Sequence, residues 1–197
     1  TDISKAFLLF AEKEYGPEHA YLTYKIFNVD APASGPNAPA GAFDIAIATN
    51  VLHATRNIRH TLRNAKAVLK KNGIILINEL SDNRLFTHLT FGLLEGWWLY
   101  EDAALRIPGS PGLYPATWKA VLESEGYEGV FFPAQEAHDW GQQIIAAGSN
   151  GVVRQKIALQ DASPHAEVRS MSKLNRIDTK TTLQPTIIAE KRHEKNV

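Results

Sequence analysis

The 197-residue sequence has no cysteine. That absence excludes a disulfide scaffold, a thiolate zinc site and a cysteine nucleophile, and leaves histidine and carboxylates to hold any metal. An excess of one charge is also lacking: 21 Lys and Arg balance 21 Asp and Glu, whereas a general nucleic-acid binder shows a basic surplus. No apolar run reaches the roughly 18 residues of a membrane span, and the N-terminus does not have the shape of a signal peptide. Neither GxGxxG nor a P-loop occurs, so the dinucleotide fingerprint and the Walker mechanism are not available. A GxSxG elbow is missing, which weakens a hydrolase reading, and without HExxH or a similar spacing no metal site is expected. There is no internal repeat. What remains, 44% hydrophobic and 21% charged residues, is the balance of a globular cytoplasmic chain with no nucleic-acid or membrane partner. Its length suits one domain with a sizeable core.

The texture changes near residue 150. Residues 151–197 hold nine Lys or Arg and five Asp or Glu, a net of +4, which leaves −4 on residues 1–150. The dense apolar runs stop at the same place. Residues 1–150 are therefore expected to be the packed domain, and 151–197 a linker or weakly ordered basic tail.

Within the first part, Ser4 to Tyr15 reads as a helix capped by Ser4, with Phe7, Leu8, Phe10 and Ala11 apolar, and stopped by Gly16-Pro17. Tyr21–Phe27 alternates and is rich in aromatic and branched residues, so it reads as a strand. Residues 31–41 are a proline-rich loop. Phe43–Thr49 reads as a short buried strand. Arg56–Lys71 places Ile58, Leu62, Ala65 and Leu69 on one face, an amphipathic helix with a basic outer face ended by Asn72-Gly73. Ile74–Ile77 is an apolar strand of the parallel kind, completing a βαβ crossover. An aromatic segment, 86–100, is expected to be helical in its first half. RIPGSPG then leads to a helix over Pro115–Glu125, ended by Gly126. Glu128–Phe132 and Gln142–Ala147 read as the last two strands, giving an α/β, doubly wound sheet with an antiparallel edge.

In an open α/β sheet, ligands bind beyond the carboxyl ends of the strands. There stand Asn28, Val29 and Asp30, then Asn50, Val51, Leu52 and His53, then Asn78 and Glu79. If the two strands of the βαβ unit are neighbours they lie roughly 5 Å apart, and His53 and Glu79 come within hydrogen-bond reach. A histidine held by a carboxylate is a good general base, because the carboxylate fixes its tautomer and stabilises the imidazolium. The plainer reading has His53 capping the next helix and Glu79 as a solvated loop residue. His19, His60, His88, His138, His165 and His193 have no convincing partner in sequence and read as surface or structural residues.

The stretch FDIAIATNVLHATRNIRHTLRNAKAVLKKNGIILINEL (43–80) resembles the C-methyltransferase domains of modular polyketide synthases. LTFGLLEGWWLY (89–100) and LYPATWKAVLESEGY (113–127) match that family in the same order, and TDIS (1–4) resembles its segment after the second strand. The resemblance covers about residues 1–150. It implies a Rossmann-like class I methyltransferase sheet with strand order 3-2-1-4-5-7-6 and S-adenosylmethionine as cofactor. The family's catalytic pair falls on His53 of NVLHAT and Glu79 of INEL. Its ribose-holding acid corresponds to Asp2, the residue near the adenine to Asp30 with Val29 beside it, and the methionine side to Asn50, Val51 and Leu52. Phe91, Trp97 and Trp98 are candidates for the acyl-chain wall, the two tryptophans equally for a structural cluster. The family's first strand, its glycine-rich loop and most of its second strand find no counterpart before TDIS. The sheet is therefore expected to be incomplete, its first strands missing, and the 197 residues alone to bind the cofactor poorly or not at all.

The reaction implied by the resemblance is methylation of the α-carbon of a β-ketoacyl thioester. The partners it implies are the acyl carrier protein that tethers the thioester and the neighbouring synthase domains. Three alternatives stand beside it: a non-catalytic pseudo-methyltransferase that braces a synthase, O-methylation served by the same histidine, and a carrier-protein docking module resting on the basic tail.

Overall fold

The computed structural model describes residues 1–33 and 37–154; most of the proposed tail lies outside them. Ser4 caps helix α1 (Lys5–Tyr15), its hydroxyl accepting from the Phe7 amide. None of the α1 residues is buried, and Phe7 and Phe10 lie open at 68% and 62% exposure. The strand expected at Tyr21–Phe27 does not form. Ile26 makes a single parallel bridge to Asp2, with the Phe27 amide donating to the Asp2 carbonyl at 3.1 Å. A strand persists only where a neighbour takes up its backbone groups along its length. Among the described residues Asp2 alone pairs with this segment.

The crossover is β1 (Phe43–Thr49), α2 (Ile58–Ala67) and β2 (Leu69–Leu80), with the strands parallel and Thr49 opposite Asn78. Asn57 caps α2, its side-chain oxygen accepting from the amides of Arg59 and His60. The helix stops at Ala67, four residues short of the expected Lys71. Leu69, whose spacing from Ala65 suits a helix, opens β2 instead and is buried there. Asn72-Gly73 is accordingly a bulge and not a helix stop: the register jumps from Phe43 opposite Leu69 to Ile45 opposite Ile74. Asn72 takes φ 65°, and a Cβ on Gly73 would come within 3.0–3.2 Å of the carbonyls of Lys70, Asp44 and Phe43. The outer face of α2 is not simply basic either. Arg63 forms a two-pronged pair with Glu125, and Lys66 is fully buried.

After α3 (Leu85–Thr90) and α4 (Pro115–Ser124), strands β3 (Tyr127–Phe131) and β4 (Gln142–Ser149) complete a four-stranded sheet of order β1-β2-β4-β3. Strand β4 runs antiparallel between β2 and β3. This is the 4-5-7-6 half of the expected strand order. Helices α2 and α4 pack together on the sheet, where Ile58, Leu62, Trp118, Val121 and Leu122 meet Ile75, Ile77 and Ile145. Strand β1 is not the buried strand expected: Ala46 and Ala48 face this core, while Ile45 and Ile47 are 58% and 71% exposed. No helix among the described residues is long and apolar enough to cross a membrane.

Candidate active site

Parallel pairing brings the carboxyl ends of β1 and β2 side by side. The chain leaves β1 through Asn50, whose φ of 49° turns it into a short 3₁₀ turn, Leu52–Ala54. Glu79, fully buried near the end of β2, faces that turn. One carboxylate oxygen accepts from the amides of Val51 (3.1 Å), Leu52 (2.7 Å) and His53 (3.3 Å). The other lies 2.5 Å from His53 Nδ1. With a carboxylate as its partner, Nδ1 carries the hydrogen, and Nε2 is left with the lone pair that a base needs. His53 is itself buried at 6% exposure. The plainer reading of a solvated Glu79 is thereby corrected: the carboxylate is the centre of a donor cluster.

His53 borders a cavity of about 510 Å³. Leu80, Phe86, Phe91, Leu94, Trp97 and Trp140 give it an apolar wall, with Asn50, Arg84, Thr87 and Gln142 as its polar members. The Trp97 ring meets the His53 ring edge-on, centroids 5.6 Å apart, and stacks on Phe91 at 6.0 Å. Trp98, named beside it from the sequence, does not line the cavity. It stacks on His88, and its indole nitrogen donates to the Gly92 carbonyl.

The residues assigned to the cofactor lie at three places along the chain. Asp2 gives one carboxylate oxygen to the Ser4 amide at 2.7 Å, which leaves acceptor capacity of the kind a ribose diol takes. Asp30 accepts from the Arg56 amide, and the Val29 carbonyl accepts from Asn64, so that loop is tied to α2 and to the residues leading into it. The amides of Val51 and Leu52 are already given to Glu79, and Leu52 is 1% exposed. Of the three residues after β1, only Asn50 lines the cavity.

Trp140 and Gln142 escaped the sequence reading although a signal existed. An antiparallel strand brings its beginning, not its end, to the carboxyl edge of its parallel neighbours, so DWGQQ before β4 belongs at the site. Arg84, Phe86, Thr87 and Leu94 lie on and around α3 and carried no comparable signal.

A parallel sheet with an antiparallel strand inserted next to its edge, and a pocket beyond the carboxyl ends of its strands, defines the methyltransferase class of α/β fold. A family model described as a methyltransferase domain matches residues 1–75. Polyketide synthase PksR of Bacillus subtilis is 69% identical over 156 residues, which are 79% of this chain and 6% of that protein. The DszA carbon methyltransferase superposes with a TM-score of 0.72 at 38% identity, over 78% of this chain and 40% of that one. The trans-methyltransferase CalH, solved in complex with SAH, gives 0.60 at 30% identity over 75% and 41%. These likenesses place the chain among the methyltransferase domains of polyketide synthases, of whose full proteins and solved domains it spans only a part.

Proposed function

We propose that this chain supplies the base and the acyl pocket for S-adenosylmethionine-dependent methylation of the α-carbon of a β-ketoacyl thioester carried on an acyl carrier protein. The observation that carries the reading is the buried His53–Glu79 bond at the edge of an apolar cavity. The α-hydrogen between two carbonyls is acidic, and a positioned imidazole suits its removal. His53 Nε2 takes that proton, Glu79 holds the ring and offsets the imidazolium charge, and the substrate is left as an enolate. S-Adenosylmethionine, when bound, supplies the methyl group as a sulfonium electrophile. The carbanion left by that proton transfer is the nucleophile such an electrophile would methylate, and His53 then returns its proton to solvent. Phe91, Trp97 and their apolar neighbours keep the acyl chain and the enolate away from water. Asp2, Val29, Asp30 and Asn50 are the residues that would hold the cofactor.

The pseudo-methyltransferase alternative has no need of a buried histidine–carboxylate pair facing a cavity. The test is His53→Ala and Glu79→Gln in the synthase domain that contains this chain, with methyl transfer to the carrier-bound thioester followed by mass spectrometry. Loss of about 10²–10⁴-fold in rate is expected for His53→Ala, the usual worth of a general base, while calorimetric cofactor affinity stays nearly unchanged. Full activity in both variants sinks the assignment, and locating the new methyl group by NMR separates carbon from oxygen transfer.

A further inference from the structure

One buried cation has no part in the mechanism above. The Arg106 side chain is 1% exposed, and its ion-pair partner Asp102 is 8% exposed. Its Nε donates to Asp102 Oδ1 at 2.6 Å. Its two terminal nitrogens donate to the carbonyls of His53 (3.0 Å), Thr55 (3.0 Å) and Pro111 (2.8 Å). Asp102 Oδ2 meanwhile accepts from the Ile58 amide at the start of α2. Of the three carbonyls under the guanidinium, that of His53 thus belongs to the short turn that presents the imidazole, and that of Thr55 to the residue that closes it. Glu79 holds the amides of Val51, Leu52 and His53 at the other end of the same turn.

We infer that Arg106 is a positioning residue for His53: the catalytic turn is held between a carboxylate on its amides and a guanidinium on its carbonyls. This inference rests on the His53–Glu79 reading and extends it. The arrangement follows the polarity of a helical turn, which favours an anion at the amide end and a cation at the carbonyl end. A turn of three residues has too few internal bonds to hold its own shape, so the two buried ions set where the imidazole sits. Only a planar fork can reach carbonyls on both sides of Ala54 and a carboxylate together. A lysine ammonium keeps the charge and loses that span. Arg106 reaches the turn from 53 residues away in sequence, out of the loop RIPGSPG.

The test uses the downfield proton resonance of the His53 Nδ1–H, which a short bond to a buried carboxylate should give in this chain. The resonance is expected in the wild type and absent from His53→Gln and Glu79→Gln. It should broaden or vanish in Arg106→Lys and Arg106→Gln, and persist in the control Arg63→Gln, which removes a guanidinium paired with Glu125. In the active domain Arg106→Lys should lower kcat about 10–100-fold, as loss of an outer-shell partner does, with KM within about twofold. Folded Arg106 variants that keep the resonance unshifted, or keep kcat, overturn the inference. If both variants fail to fold, Asp102→Asn keeps an acceptor for the Ile58 amide while removing the counter-charge, and an unchanged resonance there overturns it as well. A wild type without the resonance overturns the His53–Glu79 pairing, and with it this inference, which distinguishes the two failures.

Discussion

Glu79 serves four donors at once, so the two members of the pair differ in what their removal exposes. His53→Ala deletes one donor and leaves the carboxylate with its three amides. Glu79→Ala leaves those amides and the imidazole Nδ1 without a partner, at roughly 1–3 kcal/mol for each buried group left unsatisfied. Urea unfolding should therefore find Glu79→Ala less stable than His53→Ala by about 3 kcal/mol or more, and equal losses would show that the amides find other partners. The residue scale is also where the sequence was most informative about the site. His53 and Glu79 could be named because each stands at the end of a strand that its own apolar pattern announces. The three amides on Glu79 were not legible, since they depend on Asn50 taking positive φ and on the tight turn that follows. Arg106 was hidden for a related reason: a lone cation in a Pro/Gly loop has no periodicity to betray that it is buried.

Helix α4 ends on a buried cation, and that cation and the tyrosine beside it make stability depend on pH. Lys66 Nζ donates to the carbonyls of Glu125 (2.9 Å) and Gly126 (2.6 Å) at the end of α4 and lies 5.0 Å from the centre of the Tyr127 ring. Burial lowers its pKa from 10.5 to about 8, with Arg154 adding to the depression. Burial, and Glu125 after it, pushes the Tyr127 phenol well above its ordinary 10.0. Between about pH 8 and 10.5 the unfolded chain holds more protons on Lys66 than the folded chain does, so this residue makes stability rise with pH. Above about pH 10 the unfolded phenol ionises while the folded one resists, and stability falls. Thermal unfolding from pH 7 to 11 should show Lys66→Met flattening the rise and Tyr127→Phe removing the fall, each measured against the wild type; parallel curves would refute both. At this scale the pattern located most helices and strands, and it failed where two elements share residues. Leu69 suited the face of α2 and the start of β2 equally, and the sheet took it, which turned Asn72-Gly73 from a stop into a bulge.

At the scale of the molecule, one face and one edge of β1 stand open among the described residues. Ile45 and Ile47 project there, and no strand pairs with β1 on the side away from β2. An exposed apolar edge strand is a site for association. Sedimentation velocity should show the mass of the chain rising with concentration, and Ile45→Lys with Ile47→Lys together should suppress the rise without lowering the melting temperature. A single monomer boundary at all concentrations would contradict this. The order of the four strands was readable from the βαβ pattern together with a family likeness. The open edge of β1 follows from the expected loss of the first strands, but the exposure of Ile45 and Ile47 was not legible, because an apolar run looks the same whether or not something covers it. Lys66 gives this architecture a built-in reporter. Its amine is enclosed between α2 and the α4–β3 turn, so an acylating reagent can reach it only after these elements part. The rate at which this one lysine is modified, set against the exposed Lys70 and Lys119, therefore counts how often the core of the domain comes apart.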